Sequence, residues 1–332
     1  MQNDLKEVLA KLAERIASHP AGTRILIENS ILFSASNFQT IKNQEKGKIA
    51  FVDGGNGEIA KAADCSVQLI RVFGSIHENG KRIFKERQEF IAVITTKKTE
   101  KGLSYNIETF NSPWTFNHDF DSFDITLREG VHRASIAKIG EVVRKFAEYK
   151  MAEKMLDLLG KGDLLVKDGA LENEVTFEEE YLSRLAEKAA NKEVSVCGVS
   201  KTTNLLTDTG HSASVALNKM APITKWLYSP AAETKESIVS FAKMHYLAQQ
   251  VYRIDTNKSN LLSTEQVIAL LAKESNDLAF PGYPYGLIEA DLFARVSGEE
   301  CEQAKLRLMN GAFKKLKFNF ESLNAHETLN KM

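Results

Sequence analysis

The chain has 332 residues, of which 43% are hydrophobic and 26% charged, and a formal net charge of -1. This is the profile of a globular protein with a core, long enough for one large domain or two ordinary ones. It excludes a membrane-spanning helix, because no apolar stretch approaches the roughly 18 residues needed. It also means that any nucleic-acid contact must come from a local basic surface. Residues Met1 to Glu7 have no signal-peptide layout, and Cys65, Cys197 and Cys301 match no metal-ligand spacing. The expectation is a cytoplasmic protein with reduced thiols.

Taken in chain order, Leu5, Val8, Leu9, Leu12 and Ile16 fall at helical spacing. They predict an amphipathic helix within residues 1–20 that packs on the core or on a partner, with the core favoured. Next comes Ile49-Ala50-Phe51-Val52-Asp53-Gly54-Gly55, a short apolar run that reads as a buried strand closed by a glycine turn. Residues 66–73, 90–96 and 105–110 read as further strands. From Ala134 to Leu159, apolar residues at Ile136, Ile139, Val143, Phe146, Met151 and Met155 predict a long helix, closed by Gly160 and Gly162.

A second strand ending in Asp-Gly follows, Leu164-Leu165-Val166-Lys167-Asp168-Gly169. Then come a charged helix over 178–190 and a strand over 194–200. Residues 202–280 read as an insertion with strand-like stretches at 223–228 and 251–254. The same insertion holds a helix over 264–273, whose capping box is formed by Ser263 and Gln266. Tyr283-Pro284 opens a helix running through Ile288 and Leu292. Ser297 and Glu300 cap the start of a helical tail over 298–332. There is no internal repeat or Gly/Ser linker, which favours one continuous domain over about 45–300.

A strand with Asp, two or three antiparallel strands, a long helix, a strand with Asp, then alternating helix and strand is an order similar to the ribonuclease H-like fold. That resemblance implies an α/β mixed sheet flanked by helices, with the insertion before the last core helix. Two-metal phosphodiester cleavage needs several carboxylates around two cations about 3.5–4 Å apart. Asp53 and Asp168 are the first candidates, at strand ends where open α/β sheets place their chemistry. The long helix offers Glu141, Glu148 and Glu153. The late helix offers Asp291, three and four residues after Ile288 and Leu287 and so near the apolar side, where an unbound carboxylate is costly. Lys201, just past a strand, is placed to contact a phosphate. Tyr283, Tyr285 and Phe280 cluster where aromatics could stack on unpaired bases or pack in the core, the reading favoured for Phe280.

Phe51-Val52-Asp53-Gly54-Gly55, Leu165 to Leu171, Val199-Ser200-Lys201 and Tyr283-Pro284 through Asp291 together resemble the NurA nuclease family, over about residues 45–300. The resemblance implies a Mn²⁺- or Mg²⁺-dependent DNA nuclease acting in end resection during break repair. It implies a homodimer that works with HerA, a hexameric ATP-driven translocase. By similarity Asp53 and Asp168 are metal ligands, Glu148 is the helix ligand with Glu153 as fallback, and Tyr283 matches the family's late tyrosine. Many members carry histidine where this chain has Asp291. Two other readings compete. Asp53-Gly54-Gly55-Asn56-Gly57 resembles the phosphate loop of actin-like and sugar kinases, but 19 glycines and a poor second loop count against it. A non-catalytic repair scaffold would have no need of these carboxylates.

Overall fold

The computed structural model describes residues 2–42, 47–100 and 102–310. The helices are α1 (Gln2–Ser18), α2 (Lys138–Leu156), α3 (Glu178–Asn191), α4 (Ala213–Met220), α5 (Thr264–Lys273), α6 (Tyr285–Ala294) and α7 (Gly298–Asn310). The strands are β1 (Phe38–Gln39), β2 (Ile49–Lys61), β3 (Cys65–Glu78), β4 (Lys81–Thr99), β5 (Gly102–Phe110), β6 (Phe120–Asp121), β7 (Leu164–Asp168), β8 (Ser195–Ser200), β9 (Trp226–Glu233), β10 (Ser237–Lys243) and β11 (Tyr252–Asn257). The rest of the expected C-terminal tail, residues 311–332, lies outside the described residues.

Among the described residues the strands form one 11-stranded sheet in the order β1-β9-β10-β11-β8-β7-β2-β3-β4-β5-β6. β2 to β5 are an antiparallel meander. β7 lies parallel to β2 and to β8, so the two Asp-bearing strands are neighbours. The region expected as an insertion supplies β11, β10 and β9, which continue this sheet beyond β8 with each strand antiparallel to the one before it.

Strand alternation divides the core in two. Ala50, Val52 and Leu165 turn to α2 and α3, where they meet Phe146, Met151, Met155 and Leu185. Phe51, Leu164, Val166 and Val199 turn the other way, to α5 and to Leu287 of α6. Period-two alternation makes this possible: each central strand is apolar on both faces because helices cover both.

Two sequence expectations change. β2 does not turn at Gly54-Gly55. It pairs with β3 from Ile49 opposite His77 to Lys61 opposite Ser66. The glycines serve close packing: a Cβ on Gly54 would meet Glu148 and Arg144, one on Gly55 the backbone of Ala294, and one on Gly57 the Cys301 thiol. A run paired along its length in a strand is not a phosphate loop. The apolar side of α1 is not in the core either: Leu5, Val8, Leu9, Leu12 and Ile16 are about half exposed. Hydrophobic spacing specifies a face and leaves open what covers it. Among the described residues no helix is long and apolar enough to cross a membrane.

Candidate active site

Parallel pairing sets Val52 opposite Lys167, so β2 and β7 deliver Asp53 and Asp168 side by side where their pairing ends. Asp53 is 5% exposed. Its pKa is pushed up to about 7, first by burial, then by the charges of Asp168 and Glu148. The Gly54 amide donates to its Oδ1 at 2.7 Å.

Lys201, one residue past β8, brings an ammonium into this group. Its Nζ lies 2.7 Å from Asp291, 3.2 Å from Asp168 and 3.6 Å from Asp53. Burial works against that charge, but Asp168, the Asp291 hydrogen bond and Asp53 outweigh it and raise the lysine pKa. Asp291 enters from α6, where Arg295 holds its other oxygen at 2.7 Å. Burial resists its ionisation, yet Lys201 and Arg295 together keep its pKa below the ordinary value.

Glu148 comes through from the opposite side of the sheet, beside Gly54, and is 1% exposed. Arg144, one turn earlier on α2, pairs with it, and Lys167 lies 3.0 Å from its other oxygen. Lys167 is itself buried and stands 5.3 Å from the Tyr149 ring centre. The fallback Glu153 is elsewhere on α2, paired with Lys150 and Arg184. Glu289, two residues before Asp291 on α6, is turned to His77 and Arg82.

Tyr283 departs from its expected role. Only 1% of it is exposed, packed by Tyr252 and Phe280, so its ring has no face for a base. Its hydroxyl instead donates to Asp168 at 2.9 Å. Burial, then the Asp168 charge, raise its pKa well above the tyrosine value, so it stays a neutral donor.

Beside these groups opens a cavity of about 540 Å³, whose lining includes Arg144, Lys145, Lys167, Lys201 and Arg253 together with Glu148, Asp168 and Glu174. The oxygen-only, anionic donors Asp53, Asp168, Glu148 and Asp291 suit a hard divalent cation. Burial first, and then the charges of Asp168 and Glu148, raise the Asp53 pKa, and such a cation would relieve the repulsion among the three. As placed, the carboxylates are gathered on ammonium and guanidinium groups. Among the described residues no three acidic, histidine or cysteine side chains stand together as a metal cluster.

Sequence reasoning missed two members of this site, Arg144 and Lys167. Both had a visible signal: an arginine four residues before Glu148, and a lysine set between the apolar run Leu164 to Val166 and Asp168.

No family model matches the chain, and no curated protein matches it. Among solved structures, the NurA nuclease from Sulfolobus solfataricus is similar over 96% of this chain and 96% of that one, with a TM-score of 0.57 and 12% identity. The chain has a NurA-like fold. At that identity the likeness concerns the fold alone, the ribonuclease H-like mixed sheet flanked by helices. An endonuclease V from Ciona intestinalis, solved with a 24mer DNA containing inosine, is 9% identical over 87% of this chain and 96% of that one, with a TM-score of 0.41. That likeness is too loose to add to the first.

Proposed function

We propose that this protein is a divalent-metal-dependent deoxyribonuclease that hydrolyses DNA phosphodiester bonds at DNA ends. The observation that carries this reading is the convergence of Asp53, Asp168 and Asp291 on Lys201, with buried Glu148 beside them, within a NurA-like fold. Asp53 and Asp168 would hold the metal, with Glu148 and Asp291 completing the donor set. A bound Mg²⁺ or Mn²⁺ would supply Lewis-acid polarisation of the phosphate and activation of water.

The chain's own residues supply the rest. Tyr283 fixes one Asp168 oxygen through its hydroxyl. Arg144 and Lys167 pair with the two oxygens of Glu148 and fix its carboxylate in a buried place. Lys201, freed from the carboxylates, offers an ammonium to a phosphate oxygen. By the same reading the protein is a homodimer that acts in end resection and double-strand break repair with a HerA-like hexameric translocase. Support for that part is the NurA likeness alone.

The test is incubation of purified protein with end-labelled single-stranded DNA in EDTA, Mg²⁺ or Mn²⁺. Cleavage that requires a divalent ion is expected; no cleavage under any of the three conditions contradicts the proposal.

A further inference from the structure

A row of side chains runs across the sheet away from Asp53. Asp53 of β2 is opposite Phe73 of β3, and Phe73 is opposite Arg87 of β4. Directly opposed residues present their side chains to the same face. Neighbouring strands are about 4.8 Å apart, so Arg87 leaves the sheet two strand spacings, about 10 Å, from Asp53. Ser75 and Lys85 are opposed two positions along and share that face.

Over this row lies α6. Phe293 stacks on Phe73 with ring centres 5.0 Å apart and planes 25° apart. Phe73 is buried, yet Phe293 remains 37% exposed. The Lys85 ammonium stands 5.8 Å from the Phe293 ring centre and makes no ion pair among the described residues. Arg87 is half exposed, and its nearest carboxylate, Glu89 at 3.7 Å, is held more tightly by Arg71 at 2.5 Å. One ten-residue helix thus carries Asp291 at the lysine-centred carboxylates and Phe293 at an exposed, cation-flanked ring.

We propose that this ridge, Phe293 with Lys85 and Arg87, binds the unpaired strand of a DNA substrate beside the cleavage site. The proposal rests on the deoxyribonuclease reading for its substrate. An exposed ring fixed from below is a stacking platform for a base, and every base has a stackable face. Two under-compensated cations beside it match a phosphodiester backbone. The occupant is single-stranded, because duplex bases are already stacked on one another and offer an aromatic platform no free face.

Binding is measured in EDTA, so that nothing is cut, by fluorescence anisotropy with the full chain. The probes are a labelled oligothymidylate and a labelled duplex of equal length. K85A/R87A should weaken oligothymidylate binding and lower the slope of log K against log salt by about 1.4, two phosphates at about 0.7 each. F293A should weaken it about fivefold to a hundredfold with the slope unchanged, and F293W should restore it. Duplex binding should respond less in every variant.

The proposal is overturned by wild-type protein that fails to bind oligothymidylate at low salt. It is also overturned by an unchanged slope in K85A/R87A, by wild-type affinity in F293A, by F293W as weak as F293A, or by equal losses on duplex. Should F293A not fold, the K85A/R87A slope and F293W binding decide. Binding in the expected pattern by a protein that never cleaves DNA would defeat the nuclease reading and leave the ridge standing. Cleavage by a protein whose variants all bind normally would do the reverse.

Discussion

The Lys201 ammonium lies 2.7 Å from the Asp291 carboxylate, and the same nitrogen is 3.2 Å from Asp168. One side chain therefore neutralises the carboxylates proposed to bind a divalent ion. A metal must displace it. K201M should bind Mn²⁺ several-fold more tightly in calorimetry without DNA, and its metal-free form should melt at a lower temperature because the carboxylates then repel unopposed. Unchanged or weaker Mn²⁺ binding contradicts this competition.

Any effect of Tyr283 on the proposed cleavage runs through Asp168. Y283F keeps the ring packed against Tyr252 and Phe280 and removes the hydroxyl that donates at 2.9 Å. Loss of a hydrogen bond to a charged group costs about 1.5–3 kcal/mol. The urea midpoint should fall with no change in the m-value, and cleavage should slow by about tenfold. Full activity with an unmoved midpoint shows that Asp168 needs no such anchor.

Gly286 lets α6 sit directly on β2. A Cβ there would overlap the Phe51 ring. Phe51 is fully buried and cannot yield. G286A should lose about 1–3 kcal/mol of stability, the usual cost of overpacking. It should also reduce activity, because α6 carries Asp291. Denaturant unfolding of G286A beside wild type measures the first effect and end-labelled DNA the second.

His118 lies among Phe120, Phe146, Phe177 and Tyr181, and its ring nitrogen is 2.9 Å from the Tyr181 hydroxyl. Burial holds its pKa below the histidine value, against a smaller pull from Glu180. The unfolded chain thus binds this proton more readily than the folded one. Stability from the neutral ring is present above the unfolded pKa, about 6.5, and falls as pH drops below it. H118F should lose less of its urea midpoint than wild type between pH 7.5 and 5. The comparison must be against wild type, because Asp53, with its raised pKa, contributes the opposite slope. Parallel pH profiles for the two proteins contradict this role for His118.

The elements that place the site were legible because each had a physical signature. Apolar runs ending in Asp gave β2 and β7, and helical periodicity gave α2. The capping box of Ser263 with Gln266 forms as expected, each group bonding the other's backbone amide. What was not legible depends on contacts between distant segments. Gly54 and Gly55 look like a turn until α2 and α6 are seen pressing on them. β10 is a short stretch, Ser237–Lys243, whose buried Ser237 and Ser240 break the apolar pattern, so its alternation is hidden. The clustering of Asp53, Asp168 and Asp291 on Lys201 requires four elements, β2, β7, the end of β8 and α6, spread along most of the chain. Helical spacing put Asp291 near the apolar face of α6, whereas Glu289 is the more buried acid, at 8% exposure, and is spent on His77 and Arg82.

The central claim is that Asp53 and Asp168 bind the ion that cuts DNA. Its most direct test is the Mn²⁺-dependent cleavage of end-labelled single-stranded DNA by D53N and D168N beside wild type. Each substitution keeps the side-chain shape and removes one ligand charge. D53N should melt no lower than wild type without metal, because a carboxylate with a pKa raised to about 7 is charged at a cost there. Both variants should be folded, should bind Mn²⁺ more weakly and should leave the labelled strand intact. Cleavage at the wild-type rate by either one would contradict the account.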